Sequence, residues 1–182
     1  MTFNVYTLHL HYIIMSLEND IKQSNFKSPY SKAIVNIIYT NNWLQSLQVE
    51  IFKPFDLTLQ QYNVLRILRG QHPKPTTVIA IIERMLDKMS NASRLVDKLL
   101  AKELVVRKLC PHDRRAVDVI ITEKGMSVLA KIDLLQSQWE VNLHGLDENE
   151  ALQLSNLLDK LRQPKAECLP SELTVNNNKN LT

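Results

Sequence analysis

The feature that most restricts the fold lies between Ser90 and Thr122. In "NASRLVDKLLAK" the apolar residues Ala92, Leu95, Val96 and Leu99 fall at i, i+3, i+4 and i+7, which is the buried stripe of a short helix. Directly after it, "LVVRKL" and "AVDVIIT" alternate apolar with polar side chains around the turn "CPHDRR", where Pro111 and Asp113 supply the turn chemistry. A two-stranded hairpin is marginal in water by itself. The hairpin must therefore be attached to the helix before it and reach outward, carrying Arg114 and Arg115 at its tip.

The preceding residues supply the body to which it attaches. Ile34, Ile37, Ile38, Leu44, Leu47 and Ile51 recur at helical spacing from Tyr30 to Phe52, and Pro54 closes the segment. In "DLTLQQYNVLRILRG" Thr58 is the expected N-cap, Gln61 completes a capping box, Leu57 and Tyr62 form a staple, and Gly70 is the expected stop. "QHPKP" cannot be helical. A short third helix is expected over 77–86 with Ile79, Ile82 and Met85 or Leu86 on one face, and Ser90 is the expected N-cap of the fourth. That fourth helix leaves Asn91, Ser93, Arg94, Asp97 and Lys98 on its outer surface, the pattern of a helix-turn-helix reader.

After the hairpin, Leu129, Ile132, Leu135, Trp139 and Leu143 keep a helical stripe over 123–144, which Gly145 ends. A last helix opens on a capping box, Asp147 with Glu150, carries Leu154, Leu157, Leu158 and Leu161, and stops before Pro164. The terminal helices hold more apolar surface than a small reading core covers, so a second copy of the chain is the expected partner. Residues 164–182 carry too little apolar surface to order themselves. Residues 1–14 lack the basic start and cleavage site of a signal peptide and read as an over-extended start before Met15.

Charge points to the ligand class. Between Arg84 and Arg115 nine basic residues face four acidic ones, a net +5 in a chain whose formal total is +3, so the remainder sums to −2. Such a local basic face is the sign expected of a polyanion-binding surface, while charge alone fits an ordinary solvated face better. Cys110 and Cys168 are far apart and fit a reducing cytoplasm, and no run approaches the roughly 18 apolar residues of a membrane span. Cys110 and His112 have no third partner in the turn, so neither catalysis nor a metal is expected there, and no cofactor motif occurs. Cys110 is either an incidental hairpin residue or a thiol that answers oxidants.

Taken together, "LTLQQYNVLRIL" (57–68), "NASRLVDKLLAKELVVR" (91–107) and "DRRAVDVIITEKG" (113–125), with the leucine-rich helices behind them, resemble the MarR family of winged-helix transcriptional regulators. The resemblance implies a mainly α fold with a small β-hairpin wing: a winged helix-turn-helix over 30–163, its reading module at 57–122, with dimerisation helices at 30–53 and 123–163 and an N-terminal extension at 1–29. It implies a cytoplasmic homodimer on double-stranded DNA, usually a repressor, often released by a small aromatic ligand or by oxidation, and not an enzyme. Ser90, Asn91, Ser93, Arg94 and Lys98 fall in the recognition helix. Arg107, Lys108, Asp113, Arg114 and Arg115 fall in the wing, Asp113 either bracing an arginine or serving only as a turn former. Tyr39, Trp43, Tyr62 and Trp139 are the candidate ligand pocket, or plain core.

One residue departs from the family pattern. Glu103 stands where the family usually has glycine after the reading helix, and a left-handed conformation there costs about 1 kcal/mol. The alternative function is a winged-helix protein-interaction module with an incidental basic face. Salt separates the two, because phosphate contacts weaken by about 0.9 log units per contact per decade of salt.

Overall fold

The computed structural model describes residues 16–109, 117–140 and 145–163. The element order is α1 (Leu17–Asp20), α2 (Pro29–Phe52), a 3-10 turn (Lys53–Phe55), α3 (Leu59–Gln71), β1 (Thr76–Thr77), α4 (Val78–Arg84), α5 (Ala92–Ala101), β2 (Val105–Leu109), β3 (Val117–Ile121), α6 (Glu123–Glu140) and α7 (Glu148–Leu161). The expectations for residues 1–14, the hairpin turn, Leu143 and the tail from 164 lie outside the described residues. The chain divides into two compact units between residues 136 and 137.

Local chemistry sets the helix starts. Ser28 caps α2 through a mutual pair of bonds with Ser31, and Pro29 at the first helical position contributes a φ already fitted to the helix. Thr58 and Gln61 close the expected capping box on α3: the Thr58 N–H donates to Gln61 Oε1 at 3.1 Å and the Gln61 N–H to Thr58 Oγ1 at 3.2 Å. The box of Asp147 and Glu150 on α7 also forms, with both bonds at 2.9 Å.

Two boundaries and one buried face differ from the sequence expectation. Gly70 does not stop α3, which runs through Gln71 and ends at His72, whose N–H returns to Leu68 O and Arg69 O. Asn91, not Ser90, caps α5, its side-chain oxygen accepting the Arg94 N–H at 3.0 Å. The Ser90 hydroxyl instead points back to Asp87, donating to its Oδ2 at 2.6 Å. The buried face of α4 is also rotated: Ile81 is fully buried, with Met85 just beyond the helix, whereas Ile79 is 71% exposed and Leu86 83%. With few turns, a short helix rich in isoleucine offers no single apolar stripe from which to choose.

The hairpin is not alone. β1 pairs antiparallel with β3, Thr76 opposite Val119 and Thr77 opposite Asp118, so the sheet has three strands in the order β1-β3-β2. Two residues of threonine give no alternating pattern, which is why the third strand is invisible in the sequence. β2 and β3 pair from Val105 opposite Ile121 to Leu109 opposite Val117. Their inward residues Val105, Val119 and Ile121 join Leu65, Leu68, Ile81, Val96, Leu99 and Leu129 in one core, and α5 buries the stripe Ala92, Val96 and Leu99 that its spacing predicts, with Leu95 partly buried.

Glu103 adopts the left-handed conformation, with φ 60°. It occupies the residue after the cap of α5, where its N–H donates to Leu100 O at 2.9 Å and the Leu104 N–H to Leu99 O at 3.0 Å, both bonds of a Schellman closure. Glycine is the usual residue there because it has no Cβ to strain. Here the Thr122 hydroxyl donates to Glu103 O at 2.8 Å, and Lys124 Nζ lies 2.8 Å from its carboxylate. The Lys124 ammonium holds the Glu103 carboxyl below the ordinary range. Sheet, reading helix and α6 thus meet at one left-handed residue.

Large apolar side chains remain uncovered on the long helices. Tyr30 (79%), Ile34 (55%) and Ile38 (56%) are exposed on α2. Within the second unit, Leu152, Leu157 and Leu161 of α7 are each more than half exposed, with no buried residue on that helix.

Candidate nucleic-acid interface

α5 sorts its side chains by face. Ala92, Val96 and Leu99 are buried, while Asn91, Ser93, Arg94 and Lys98 are exposed. α4 and the turn 85–91 precede it and β2 follows, and α5 packs against both α4 and β2. Two of the sequence-identified residues are engaged locally: Ser90 through Asp87, and the Asn91 oxygen as the cap. Ser93 and Lys98 stay open, as does the Arg94 side chain.

In the wing, Lys108 is exposed, but Arg107 is tied to the reading helix: its Nη2 lies 2.5 Å from Asp97 Oδ1. The pairing of Asp97 with Arg107 across two elements was not read from the sequence, where neither residue announces its partner. It fixes strand β2 against α5. Asp113, Arg114 and Arg115 lie outside the described residues, as do Cys110 and His112.

A second brace escaped the sequence as well. At the far end of α5, Lys102 Nζ lies 3.0 Å from Asp56 Oδ2 and also donates to Asp56 O. Asp56 itself is left-handed, φ 52°, at the corner between α2 and α3. The end of the reading helix is therefore anchored to the corner where the long helix stops. Beside it a cleft of about 670 Å³ opens, lined by Val49, Phe52, Thr58, Gln61, Lys98 and Lys102.

The four aromatic residues do not share one pocket. Tyr62 is core, stacked on Phe52 at a centroid distance of 4.6 Å, and its hydroxyl donates to Gln136 Oε1 at 2.8 Å. Arg66 also donates to that hydroxyl, at 3.1 Å. Tyr39 and Trp43 line a separate hollow of about 450 Å³ with Leu17, Lys32 and Asn36. Burial raises the Tyr39 hydroxyl above its ordinary pKa, and Asp20 adds to the shift. The Trp139 side chain lies outside the described residues.

Among the described residues no group of three His, Cys, Asp or Glu side chains could hold a metal ion, and no helix is long and apolar enough to cross a membrane. Reading helix, preceding turn and paired strands define a winged helix-turn-helix protein.

A model of the MarR family matches residues 55–116. The MarR transcription factor from Planctomyces limnophilus is 31% identical, with a TM-score of 0.56, and the match covers 75% of this chain and 99% of that one. A cysteine-to-serine variant of E. coli MarR, complexed with operator DNA, matches with a TM-score of 0.63 at 24% identity over 82% of this chain and 100% of that one. BpsR of Bordetella bronchiseptica, whose DNA binding is regulated by 6-hydroxynicotinic acid, matches with a TM-score of 0.64 at 20% identity over 78% and 99%. The chain belongs to the MarR family of DNA-binding transcription regulators.

Proposed function

We propose that the protein is a cytoplasmic homodimer that represses transcription from an inverted-repeat operator and is released by a small aromatic ligand. One observation carries the reading: α5 turns Ser93, Arg94 and Lys98 outward as a polar and basic face while its opposite stripe is buried. A major groove about 12 Å wide admits one helix, and an arginine there pairs bidentately with guanine. In this reading Ser90, Asn91, Ser93, Arg94 and Lys98 form the groove contact. Lys108 and the hairpin arginines Arg114 and Arg115 approach the adjacent backbone and minor groove, where negative potential concentrates. In this reading Asp113 either braces one of those arginines or serves only as a turn former, and Arg107, held by Asp97, positions the strand.

The domain reading follows the same lines. Residues 57–122 make the reading module, and 30–53 with 123–163 make the dimerisation helices, whose exposed isoleucines and leucines a second copy covers. Release by a ligand is supported by the likeness to BpsR, and the hollow at Tyr39 and Trp43 offers an aromatic seat. A ligand wedged beside the long helix changes the separation of the two reading helices and so selects the state that does not fit the operator.

Arg94→Ala is the direct test. A base-edge contact is worth about 1–3 kcal/mol only at the correct base pair. The variant should lose discrimination between the selected operator and scrambled DNA by roughly 5- to 150-fold, while its affinity for scrambled DNA changes little. Competition binding checks it, and unchanged discrimination would remove Arg94 as a base reader.

A further inference from the structure

The turn between α4 and α5 ties several of its polar groups into local bonds. Asp87 accepts the Met89 N–H through Oδ1 at 2.9 Å and the Ser90 hydroxyl through Oδ2 at 2.6 Å. The Ser90 hydroxyl, foremost among these contacts, holds the Asp87 carboxyl below its ordinary range. Lys88 folds back over the end of α4, its ammonium donating to Ile82 O at 3.0 Å and to Glu83 O. The Leu86 N–H donates to Asn63 Oδ1 at 3.0 Å. Beside the exposed Asp87 and Lys88, the turn leaves two large apolar side chains to solvent: Leu86 is 83% exposed and Met89 93%.

A lone exposed methionine needs no explanation. This one stands two residues before the Asn91 cap, at the end of the reading helix whose first residues approach base edges in helix-turn-helix proteins. Its neighbours Ser90 and Asn91 have their side-chain oxygens in local bonds. Beside them the leading edge of the helix also presents a thioether, that of Met89. In the major groove the C5-methyl of thymine is the apolar feature that distinguishes one base pair from the others. A thioether is flexible and polarizable enough to seat on a methyl group whose position is set by the DNA.

We propose that Met89 packs against the C5-methyl of one thymine in each half-site, so that the operator is read there by an apolar contact. The proposal rests on the assignment of α5 to the major groove. It adds a specificity residue that composition and charge give no reason to choose.

The test removes one methyl group at a time. DNA is selected from a random pool with the full-length protein, and each thymine of the selected operator is replaced in turn by deoxyuridine, which lacks only the C5-methyl. The wild type should bind about fourfold more weakly when one particular thymine of a half-site is replaced, the worth of one methyl-sized group kept out of water. Met89→Ala, altered at a side chain that packs on nothing in the chain, should bind the unmodified operator several-fold more weakly and be indifferent to that replacement. A wild type indifferent to every deoxyuridine, or a variant that keeps the same penalty, would overturn the proposal while the DNA-binding reading stands. Failure to enrich any DNA would overturn both.

Discussion

The double substitution Ile38→Glu with Leu157→Glu is expected to leave the chain folded yet weaken operator binding by about two to four orders of magnitude. Both side chains are more than half exposed in the single chain, Ile38 at 56% and Leu157 at 63%, so neither change empties the core. Their exposure has a cost only if nothing covers them, and the proposed cover is a second copy. In a dimer, binding of the second reading helix is intramolecular, and linkage of this kind raises overall affinity by about 10²–10⁴ without any new contact. Carboxylates placed in an apolar interface remove that linkage because each must be desolvated without a partner. Fluorescence anisotropy on the selected operator, with circular dichroism as the check on folding, measures the effect. A folded variant of unchanged affinity would show that these faces do not join two copies.

Gly125→Ala is expected to destabilise the fold by about 3 kcal/mol, at the upper end of the cost of forcing atoms into a packed site. An added Cβ would meet Leu104 O at 2.4 Å and Ile121 Cγ1 at 2.7 Å. Neither neighbour can withdraw freely. Leu104 O accepts the Thr122 N–H at 3.0 Å, and the Gly125 N–H itself donates to Thr122 Oγ1 at 3.1 Å. Ile121 belongs to the buried face of β3. The substitution thus pries the end of α5 and the wing strand away from α6 together. Thermal unfolding should show Tm lowered by roughly 6–12 °C for a chain of this size. An unchanged Tm would mean that the junction yields without loss.

What could be read from the sequence was local. Thr58 with Gln61 and Asp147 with Glu150 act within one turn of helix, so the residues carry their own evidence. The same holds for the α5 stripe, of which Ala92, Val96 and Leu99 are buried and Leu95 partly so. Ser90 misled because its side chain turns back to Asp87, three residues earlier, while Asn91 supplies the capping oxygen. Ile79 misled because its neighbours Ile81 and Ile82 are equally apolar, and only the tertiary packing chooses among them. The pairs Asp97 with Arg107 and Lys102 with Asp56 join residues whose meeting depends on how elements turn back on one another. The outer face of α5 was legible as a candidate interface; the turn before it was not, because an exposed methionine becomes informative only once the bonds around it are known.

The measurement that bears most directly on the proposed function is selection of DNA from a random genomic-length pool by the full-length protein, followed by sequencing of what is retained. Two reading helices on one face of the duplex must lie about 34 Å apart, one helical turn. The expected result is enrichment of an inverted repeat whose half-sites are centred about 10 base pairs apart, with retention falling steeply as salt is raised. Retained DNA with no common sequence, or a single half-site bound as tightly as the full repeat, would contradict a dimeric operator-binding regulator.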